Sequence, residues 1–262
     1  MSGTPTVTAV VDALRSAQPA WQELSVTARV RWLVRYRNWL LDNQSRLEHI
    51  LSQETGKPSA EAALEIPYVV QAINYHCRRA PLLLADRRPG PHGILAITKR
   101  QLIVQRPYPV VGVITPWNFP LGLSLLDAVP ALLAGCAVVV KPSELTPSAV
   151  SVAVGGWAEI GAPPVLRVVT GAGGAGAAVV DAVDFIQFTG SARTGRIIAR
   201  AAAERLIPCA LELGGKDAMI VLADADIERA ANAAVWGRWP TAARCASRWN
   251  GPTSSRRSTT GS

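Results

Sequence analysis

The segment from Val110 to Val140 reads VVGVITPWNFPLGLSLLDAVPALLAGCAVVV, and it decides the fold class. Two short apolar runs, Val110–Ile114 and Ala137–Val140, enclose a longer run with helical spacing near 121–134. Nearly continuous apolar strands on either side of a helix are typical of parallel strands buried on both faces. The segment therefore predicts a strand–helix–strand unit of an α/β sheet.

The same alternation continues through the second half of the chain. Further strand-like runs are Val165–Val169, Phe185–Phe188, Ala210–Leu213 and Met219–Leu222. Helix-like segments lie between them near 147–160, 175–183, 192–206 and 226–236. Together they predict an α/β fold with a doubly wound parallel sheet, a Rossmann-like arrangement that binds nucleotides at the carboxyl ends of its strands.

Helices are predicted ahead of this sheet, within residues 1–85. Ser25 is a candidate N-cap for a helix whose apolar residues recur at helical spacing. The arginines of this helix are interpreted as a solvated face rather than a membrane-binding one, because acidic residues follow soon after. They are Arg29, Arg31, Arg35 and Arg37. The predicted parts are 1–90 (helical), 91–237 (Rossmann-like) and 238–262 (a disordered tail).

Composition bounds the class of protein. A chain of 262 residues with 49% hydrophobic residues can bury a sizeable core. The net charge is +8, but residues 238–262 hold five Arg and no Asp or Glu, so residues 1–237 carry only 22 − 19 = +3. Nucleic acid is therefore not predicted as a partner. A membrane is not predicted either, because Asp127, Pro130 and Gly135 interrupt the most apolar stretch, Leu125–Val140. The four scattered cysteines lack metal-ligand spacing and favour a reducing compartment, so we predict no metal and a cytoplasmic location.

Three turns after predicted strands carry candidate cofactor ligands. Gly171 begins a G-x-G-x-x-G pattern, although a chance match is a fair alternative in a chain rich in Gly and Ala. Gly190 and Ser191 form a turn whose free N–H groups could hold a pyrophosphate, or Ser191 could simply cap a helix. Lys141 and Glu144 follow a buried strand, where Glu144 could accept hydrogen bonds from ribose hydroxyls or form an exposed pair with the lysine.

Two residues are candidates for catalysis. Asn118 lies between two prolines after the strand Val110–Ile114, and its amide could donate to a developing oxyanion. Glu212 precedes a Gly-Gly turn and could act as a general base. A turn-forming Asn and a structural Glu remain the alternatives.

Five motifs, in this order and spacing, resemble the aldehyde dehydrogenase superfamily between about residue 10 and residue 237. They are Glu54–Pro58, Thr115–Pro120, Lys141–Glu144, Phe188–Ser191 and Glu212–Lys216. The resemblance implies oxidation of an aldehyde to an acid with NAD or NADP. A cysteine thiolate attacks the carbonyl, the thiohemiacetal passes hydride to the nicotinamide, and water hydrolyses the thioester.

The resemblance also implies roles for individual residues. Asn118 would stabilise the oxyanion and Glu212 would activate water or the thiol. Lys141 and Glu144 would contact the adenosine ribose, which favours NAD while leaving NADP possible. The residues implied in cofactor binding are Ile114, Thr115, Pro116, Trp117, Lys141, Ser143, Glu144, Gly171, Gly190, Ser191, Thr194 and Leu213. An aldehyde is the implied substrate, and full-length members are homo-oligomeric.

The sequence departs from the family pattern after Gly237. The nucleophile motif should follow there, but residues 238–262 contain no Leu, Ile, Val, Phe or Met. With a permissible choice of codons, one nucleotide inserted after the codon of Arg238 restores an Asn-Gly-Gly-Gln-Val-Cys segment, with its thiol one codon beyond Cys245. The hypothesis is therefore an out-of-frame tail on a truncated, inactive aldehyde dehydrogenase that lacks its catalytic domain. The alternatives are a non-catalytic dinucleotide-binding remnant and a nucleic-acid-binding basic tail.

Overall fold

The computed structural model describes residues 6–215, 218–238 and 252–254. Five helices come first: α1 (Val7–Glu23), α2 (Val26–Asp42), α3 (Gln44–Thr55), α4 (Ser59–Ala62) and α5 (Glu65–Leu83). Ser25 caps α2, because its Oγ accepts a hydrogen bond from the N–H of Ala28 at 3.2 Å. The predicted N-cap is thus confirmed. Within the described residues, no helix combines the length and the apolar character that crossing a bilayer requires.

Five parallel strands form the central sheet in the order β3-β2-β1-β4-β5. They are β1 (Val110–Ile114), β2 (Ala137–Lys141), β3 (Leu166–Val168), β4 (Phe185–Gly190) and β5 (Cys209–Leu213). The order reverses direction between β1 and β4, so a crevice opens beyond their carboxyl ends. The predicted doubly wound α/β fold is confirmed.

Four helices connect these strands and cover both faces of the sheet. They are α6 (Pro120–Ala134), α7 (Ser148–Glu159), α8 (Gly173–Ala182) and α9 (Ala192–Glu204). Helix α8 packs so closely on β1 that a Cβ at Gly112 would lie 2.8 Å from a methyl group of Val179. The buried apolar side chains of the N-terminal helices and of the sheet belong to one continuous core. The boundaries of the three predicted parts stay predictions.

The predicted strand at 219–222 forms, but it does not join the central sheet. Strand β6 (Met219–Val221) pairs in parallel with β7 (Pro252–Ser254) in a separate two-stranded sheet, and α10 (Ile227–Arg238) lies between them in the chain. Its assignment to the doubly wound sheet was therefore wrong. Strand β7 belongs to the segment for which disorder was predicted, and the rest of the tail after Arg238 lies outside the described residues.

Arg29 corrects the interpretation of helix α2 as carrying a solvated arginine face. The residue is only 6% exposed, and its guanidinium donates hydrogen bonds to the carbonyls of Leu133, Gln22 and Leu24. Leu133 belongs to α6, so this arginine joins the end of that helix to the turn between α1 and α2. Burial with several carbonyl partners satisfies the donors that water would otherwise satisfy.

A pair of neighbouring glycines in α7 tests how tightly this core is packed. A Cβ at Gly156 would overlap the ring of Trp39, whereas a Cβ at Gly155 meets nothing within 4 Å. We expect Gly156→Ala to lower the free energy of unfolding by about 1–3 kcal/mol through overpacking. Gly155→Ala should be neutral or raise it by up to about 1 kcal/mol, because alanine favours the helix. Urea denaturation of both variants measures the difference, and equal effects would contradict the packing.

Candidate active site

A cleft of about 610 Å³ lies at the carboxyl edge of the sheet. Its floor is formed where β1, β2 and β4 end, and α8 and α9 form its walls. Ten of the twelve predicted cofactor residues line it: Ile114, Thr115, Pro116, Trp117, Lys141, Ser143, Glu144, Gly190, Ser191 and Thr194. Residues from three separate motifs are thus brought together as the topology requires.

The turn after β2 places a buried cation beside an exposed anion. The ammonium of Lys141 lies 3.3 Å from Oε2 of Glu144, and its side chain is 7% exposed against 52% for Glu144. A backbone hydrogen bond at Glu144 and the hydrogen bond from Lys141 hold the pKa of the Glu144 carboxyl below its usual range. Glu144 is therefore ionised at neutral pH, with an oxygen available to accept hydrogen bonds.

The turn after β4 leads directly into a helix N-terminus. Ser191 is the N-cap of α9, and its Oγ accepts a hydrogen bond from the N–H of Thr194 at 3.2 Å. A Cβ at Gly190 would lie 2.5 Å from the ring of Phe188, so the backbone there needs glycine. This geometry is compatible with both interpretations of Ser191, as a helix cap and as part of a pyrophosphate site. A capped helix N-terminus still presents unpaired N–H groups to an anion.

Gly171 and Leu213 do not line the cleft, unlike the other predicted cofactor residues. Gly171 has φ of 139°, a conformation that favours glycine, and it precedes α8. Leu213 ends β5 and packs against α9, because its Cδ2 lies 2.6 Å from a Cβ built on Gly195. Their roles in cofactor binding stay predictions.

The two helical walls supply the cleft residues that sequence reasoning did not select. Helix α8 contributes Gly173, Gly176, Ala177, Val180 and Asp181, and α9 contributes Arg193, Ile197, Ile198 and Ala201. On each helix these positions recur every three or four residues, so one face of each helix borders the cleft. The helical spacing of small residues in 173–181 was the available signal, and Gly173 and Gly176 were read only as parts of a weak motif.

Asn118 lies in the turn between β1 and α6, and its side-chain Oδ1 is buried. Hydrogen bonds fix the residues around it: the hydroxyls of Thr115 and Ser124 are 2.7 Å apart, and the carbonyl of Trp117 accepts from the Thr146 hydroxyl at 3.5 Å. This turn is thus tied both to α6 and to the segment that follows β2. Its catalytic role stays a prediction.

Glu212 lies on β5 and shares one face of the sheet with Gln187. Gln187 pairs with Ala210 and Thr189 pairs with Glu212 in the parallel register, so Gln187 and Glu212 point to the same side. Asp127 of α6 completes this group. The pKa of Asp127 is raised to about 6, because burial and the nearby Glu212 carboxylate raise it by more than a hydrogen bond with Gln187 lowers it. Sequence reasoning did not select Asp127 as part of the site.

The raised pKa of Asp127 predicts a dependence of stability on pH. In the folded protein the Asp127 carboxyl stays protonated up to about pH 6, whereas in an unfolded chain it loses its proton at about pH 3.9. The contribution of Asp127 to stability is therefore fully present below about pH 3.9 and is lost as the pH rises through about 6. We expect Asp127→Asn to remove this decline and to be more stable than the wild type at neutral pH. Urea denaturation from acidic to neutral pH measures it, with the exposed Asp42→Asn as control, and an unchanged pH slope would contradict it.

None of the described cysteines is placed as a nucleophile. Cys136 is buried, and desolvation raises the pKa of its thiol to about 11. Burial also raises the pKa of Cys77, and Cys209 begins β5 at the end remote from the cleft. Neither these residues nor any group of three or more His, Cys, Asp and Glu in the described part of the chain suits a metal ion. Cys245 and the proposed frame change lie outside the described residues.

Comparison with known proteins agrees with this geometry. The profile of the aldehyde dehydrogenase family matches residues 2–248, a wider range than the five motifs indicated. The chain belongs to the aldehyde dehydrogenase family. It is similar to 4,4'-diapolycopene aldehyde oxidase of Methylomonas sp, with 44% identity over 85% of this chain and 43% of that protein. It is also similar to geranial dehydrogenase of Castellaniella defragrans, with 41% identity over 85% of this chain and 46% of that protein.

Solved aldehyde dehydrogenase-like structures match the same part of the chain. An NADP-dependent enzyme of E. coli superposes with a TM-score of 0.89 at 31% identity, covering 95% of this chain and 52% of that one. PnpE in complex with nicotinamide adenine dinucleotide gives a TM-score of 0.86 at 34% identity, covering 92% and 49%. The chain thus spans about half the length of the family members that it matches.

Proposed function

We propose that this chain binds the nicotinamide dinucleotide that aldehyde dehydrogenases use to oxidise an aldehyde to a carboxylic acid, and that it carries part of the residue set for that reaction. The observation that carries the proposal is the single cleft into which the ends of β1, β2 and β4 bring the predicted cofactor residues. Family membership supports the reaction type, and the similar structures include one that depends on NADP and one that holds NAD.

The cleft residues fit the parts of a dinucleotide. The ionised Glu144 would accept hydrogen bonds from the hydroxyls of the adenosine ribose, while Lys141 would donate to its oxygens. The N-terminus of α9 at Ser191 would hold the pyrophosphate through free backbone N–H groups. Because Gly190 has no side chain, the pyrophosphate can approach the backbone closely at this position. A nicotinamide bound in this cleft would supply the acceptor for a hydride from the substrate carbon.

Two catalytic roles are proposed for polar residues at the carboxyl ends of β1 and β5. Asn118 would donate an amide hydrogen to the substrate oxygen, where negative charge develops. Glu212 would accept a proton as general base, and its exposed carboxylate on β5 is available for this. The neighbouring Asp127 would add to the negative charge of this region at neutral pH, since it releases its proton above about pH 6.

An apolar aldehyde is the proposed substrate class. A cavity of about 860 Å³ starts at Phe119, next to Asn118, and continues between α5 and α6. Apolar side chains dominate its lining, including Leu41, Leu64, Pro67, Val70, Leu123 and Leu126. Its charged lining residue is Glu65, which Lys57 neutralises at 2.7 Å. Geranial, named for one relative, is an aldehyde with a hydrocarbon chain.

Glu144 should make NAD the preferred cofactor, because its negative charge opposes the 2′-phosphate of NADP. We expect Glu144→Gln to weaken NAD binding and to shift the ratio of NAD to NADP affinity towards NADP by about tenfold or more. Isothermal titration calorimetry with both cofactors measures the ratio. Glu23→Gln, at the exposed end of α1, makes the same charge change away from the cleft and should leave the ratio unaltered.

The 262-residue chain should bind the dinucleotide without oxidising an aldehyde, because no described cysteine lines the cleft. This is the expectation for a dinucleotide-binding chain without catalysis. The test adds NAD, then a long-chain alkyl aldehyde or a short acidic semialdehyde, and follows calorimetric binding and the fluorescence of reduced nicotinamide. Cofactor binding supports the proposal, and its absence contradicts it. Turnover of either aldehyde would overturn the expected inactivity, and tighter calorimetric binding of the acidic aldehyde than of the alkyl aldehyde would contradict the apolar substrate class.

A further inference from the structure

A buried ion pair in the N-terminal helical part lies against the turn that carries Asn118. The ammonium of Lys57 is 2.7 Å from Oε1 of Glu65, and both side chains are almost completely buried, at 0% and 2% exposure. A buried pair of this kind is weak evidence for stability, because desolvation offsets the attraction. Its contacts with the start of α6 indicate a role in positioning that helix and the turn before it.

Glu65 supplies the cap that the start of α6 lacks. The N-cap residue of α6 is Phe119, whose side chain makes no capping hydrogen bond, and Pro120 follows as the first residue of the helix. The other carboxylate oxygen of Glu65, Oε2, accepts the N–H of Gly122 at 2.8 Å. Gly122 is the third helical residue, the usual target of an N-cap side chain, so Glu65 of α5 caps α6 from outside.

Lys57 holds the same turn from its other side. Its ammonium lies 4.0 Å from the centroid of the Phe119 ring, a cation–π contact that fixes the residue directly after Asn118. The lysine also keeps Glu65 paired, so that a buried carboxylate is tolerated beside the apolar cavity. One ion pair thus fixes both Phe119 and Gly122.

Glu54, which belongs to the same motif as Lys57, caps helix α7 in the same way as Glu65 caps α6. Its carboxylate accepts the N–H groups of Ser148 and Ala149, at 2.7 and 3.1 Å, at the start of α7. Helix α7 likewise lacks a side-chain cap of its own. It follows the turn with Lys141 and Glu144, so Glu54 offers a matched comparison at a different site turn.

We propose that Lys57 and Glu65 are positioning residues that hold the Asn118 turn in the orientation needed for an oxyanion donor. The proposal rests on the function proposed above for Asn118. It assigns a role in the reaction to the Lys57 position of the Glu54–Pro58 motif, which is far from the cofactor cleft in sequence and separated from the substrate by Glu65 and Phe119.

The side-chain amide signal of Asn118 in a ¹H–¹⁵N NMR spectrum reports the orientation directly. Asn118→Asp removes this signal and so assigns it. Two double variants are compared, Lys57→Met with Glu65→Gln and Lys57→Met with Glu65→Leu. Both remove the two charges, so neither leaves a buried ion uncompensated, and apolar replacement of a buried pair is often tolerated. Only the Gln variant keeps a side-chain oxygen at position 65 that can accept the N–H of Gly122.

We expect the Asn118 signal to be displaced by more than its line width in the Gln variant, which loses the contact of Lys57 with Phe119, and to be displaced further in the Leu variant, which also loses the acceptor for Gly122. A wild-type position in the Gln variant would overturn the role of Lys57. The same position in both double variants would overturn the proposal, since a purely structural pair would not distinguish an acceptor from a methyl group. Glu54→Leu, which uncaps α7, should leave the Asn118 signal in place, and an equal displacement there would also overturn it. Calorimetric NAD binding by the wild type is scored separately, so failure of the proposed function is distinguished from failure of the positioning role.

Discussion

Gly176→Leu is expected to abolish most of the affinity for the dinucleotide while leaving the fold intact. Gly176 lies on the face of α8 that borders the cleft, and a Cβ built there meets nothing within 4 Å. The added side chain therefore has room in the free protein, and replacing a helical glycine favours the helix by about 0.5–1 kcal/mol. The space it occupies is the space proposed for the cofactor.

The expected loss is roughly 100-fold or more in affinity, which corresponds to about 2.8 kcal/mol at 1.4 kcal/mol per factor of ten. Gly174→Leu is the matched control, because Gly174 lies on the same helix, has equally open space around its Cβ and does not line the cleft. It should bind NAD as the wild type does. Isothermal titration calorimetry measures both variants, and equal affinities would place the dinucleotide outside this cleft.

Trp157→Ala is expected to cause the largest loss of stability. Trp157 is 1% exposed and makes edge-to-face contacts with Trp21 at 5.8 Å and with Tyr36 at 5.4 Å between ring centroids. Its indole N–H donates to the carbonyl of Pro163. Because α1, α2 and α7 meet at this ring, its removal should lower the free energy of unfolding by about 3–5 kcal/mol.

Trp32→Ala provides the comparison for this prediction. Trp32 is partly buried on α2, where Arg35 lies 4.5 Å from its ring centroid. Its removal should cost about 1 kcal/mol, near the centre of the range for single substitutions. Urea denaturation of the two variants measures the difference. A cost for Trp157→Ala no larger than that for Trp32→Ala would contradict a single core shared by the N-terminal helices and the sheet.

The sequence predicted the features that depend on local pattern. The runs Val110–Ile114 and Ala137–Val140 form strands because they are apolar and β-branched, and the turns that follow them are set by proline and by the ends of parallel strands. The positions of Lys141, Glu144 and Ser191 in one cleft then followed from topology alone. These are the parts of the site that the order of motifs along the chain determines.

Long-range partners account for what the sequence did not predict. Arg29 is buried because carbonyls of α6, more than a hundred positions away, accept its hydrogen bonds. Asp127 has a raised pKa because the folded chain buries it and places the Glu212 carboxylate near it, although a hydrogen bond with Gln187 lowers the pKa. Strand β6 had the composition of a core strand, and its partner β7 lies in a segment without the usual apolar residues. In each case a tertiary partner that the local pattern does not reveal decided the outcome.

A crystal structure of the chain grown with NAD tests the central claim most directly. The account predicts density for the dinucleotide at the carboxyl edge of the sheet between α8 and α9, with a ribose against Glu144 and Lys141 and the pyrophosphate at the N-terminus of α9 beside Ser191. A dinucleotide bound elsewhere, or crystals that stay free of it at saturating NAD with this cleft open to solvent, would contradict the account.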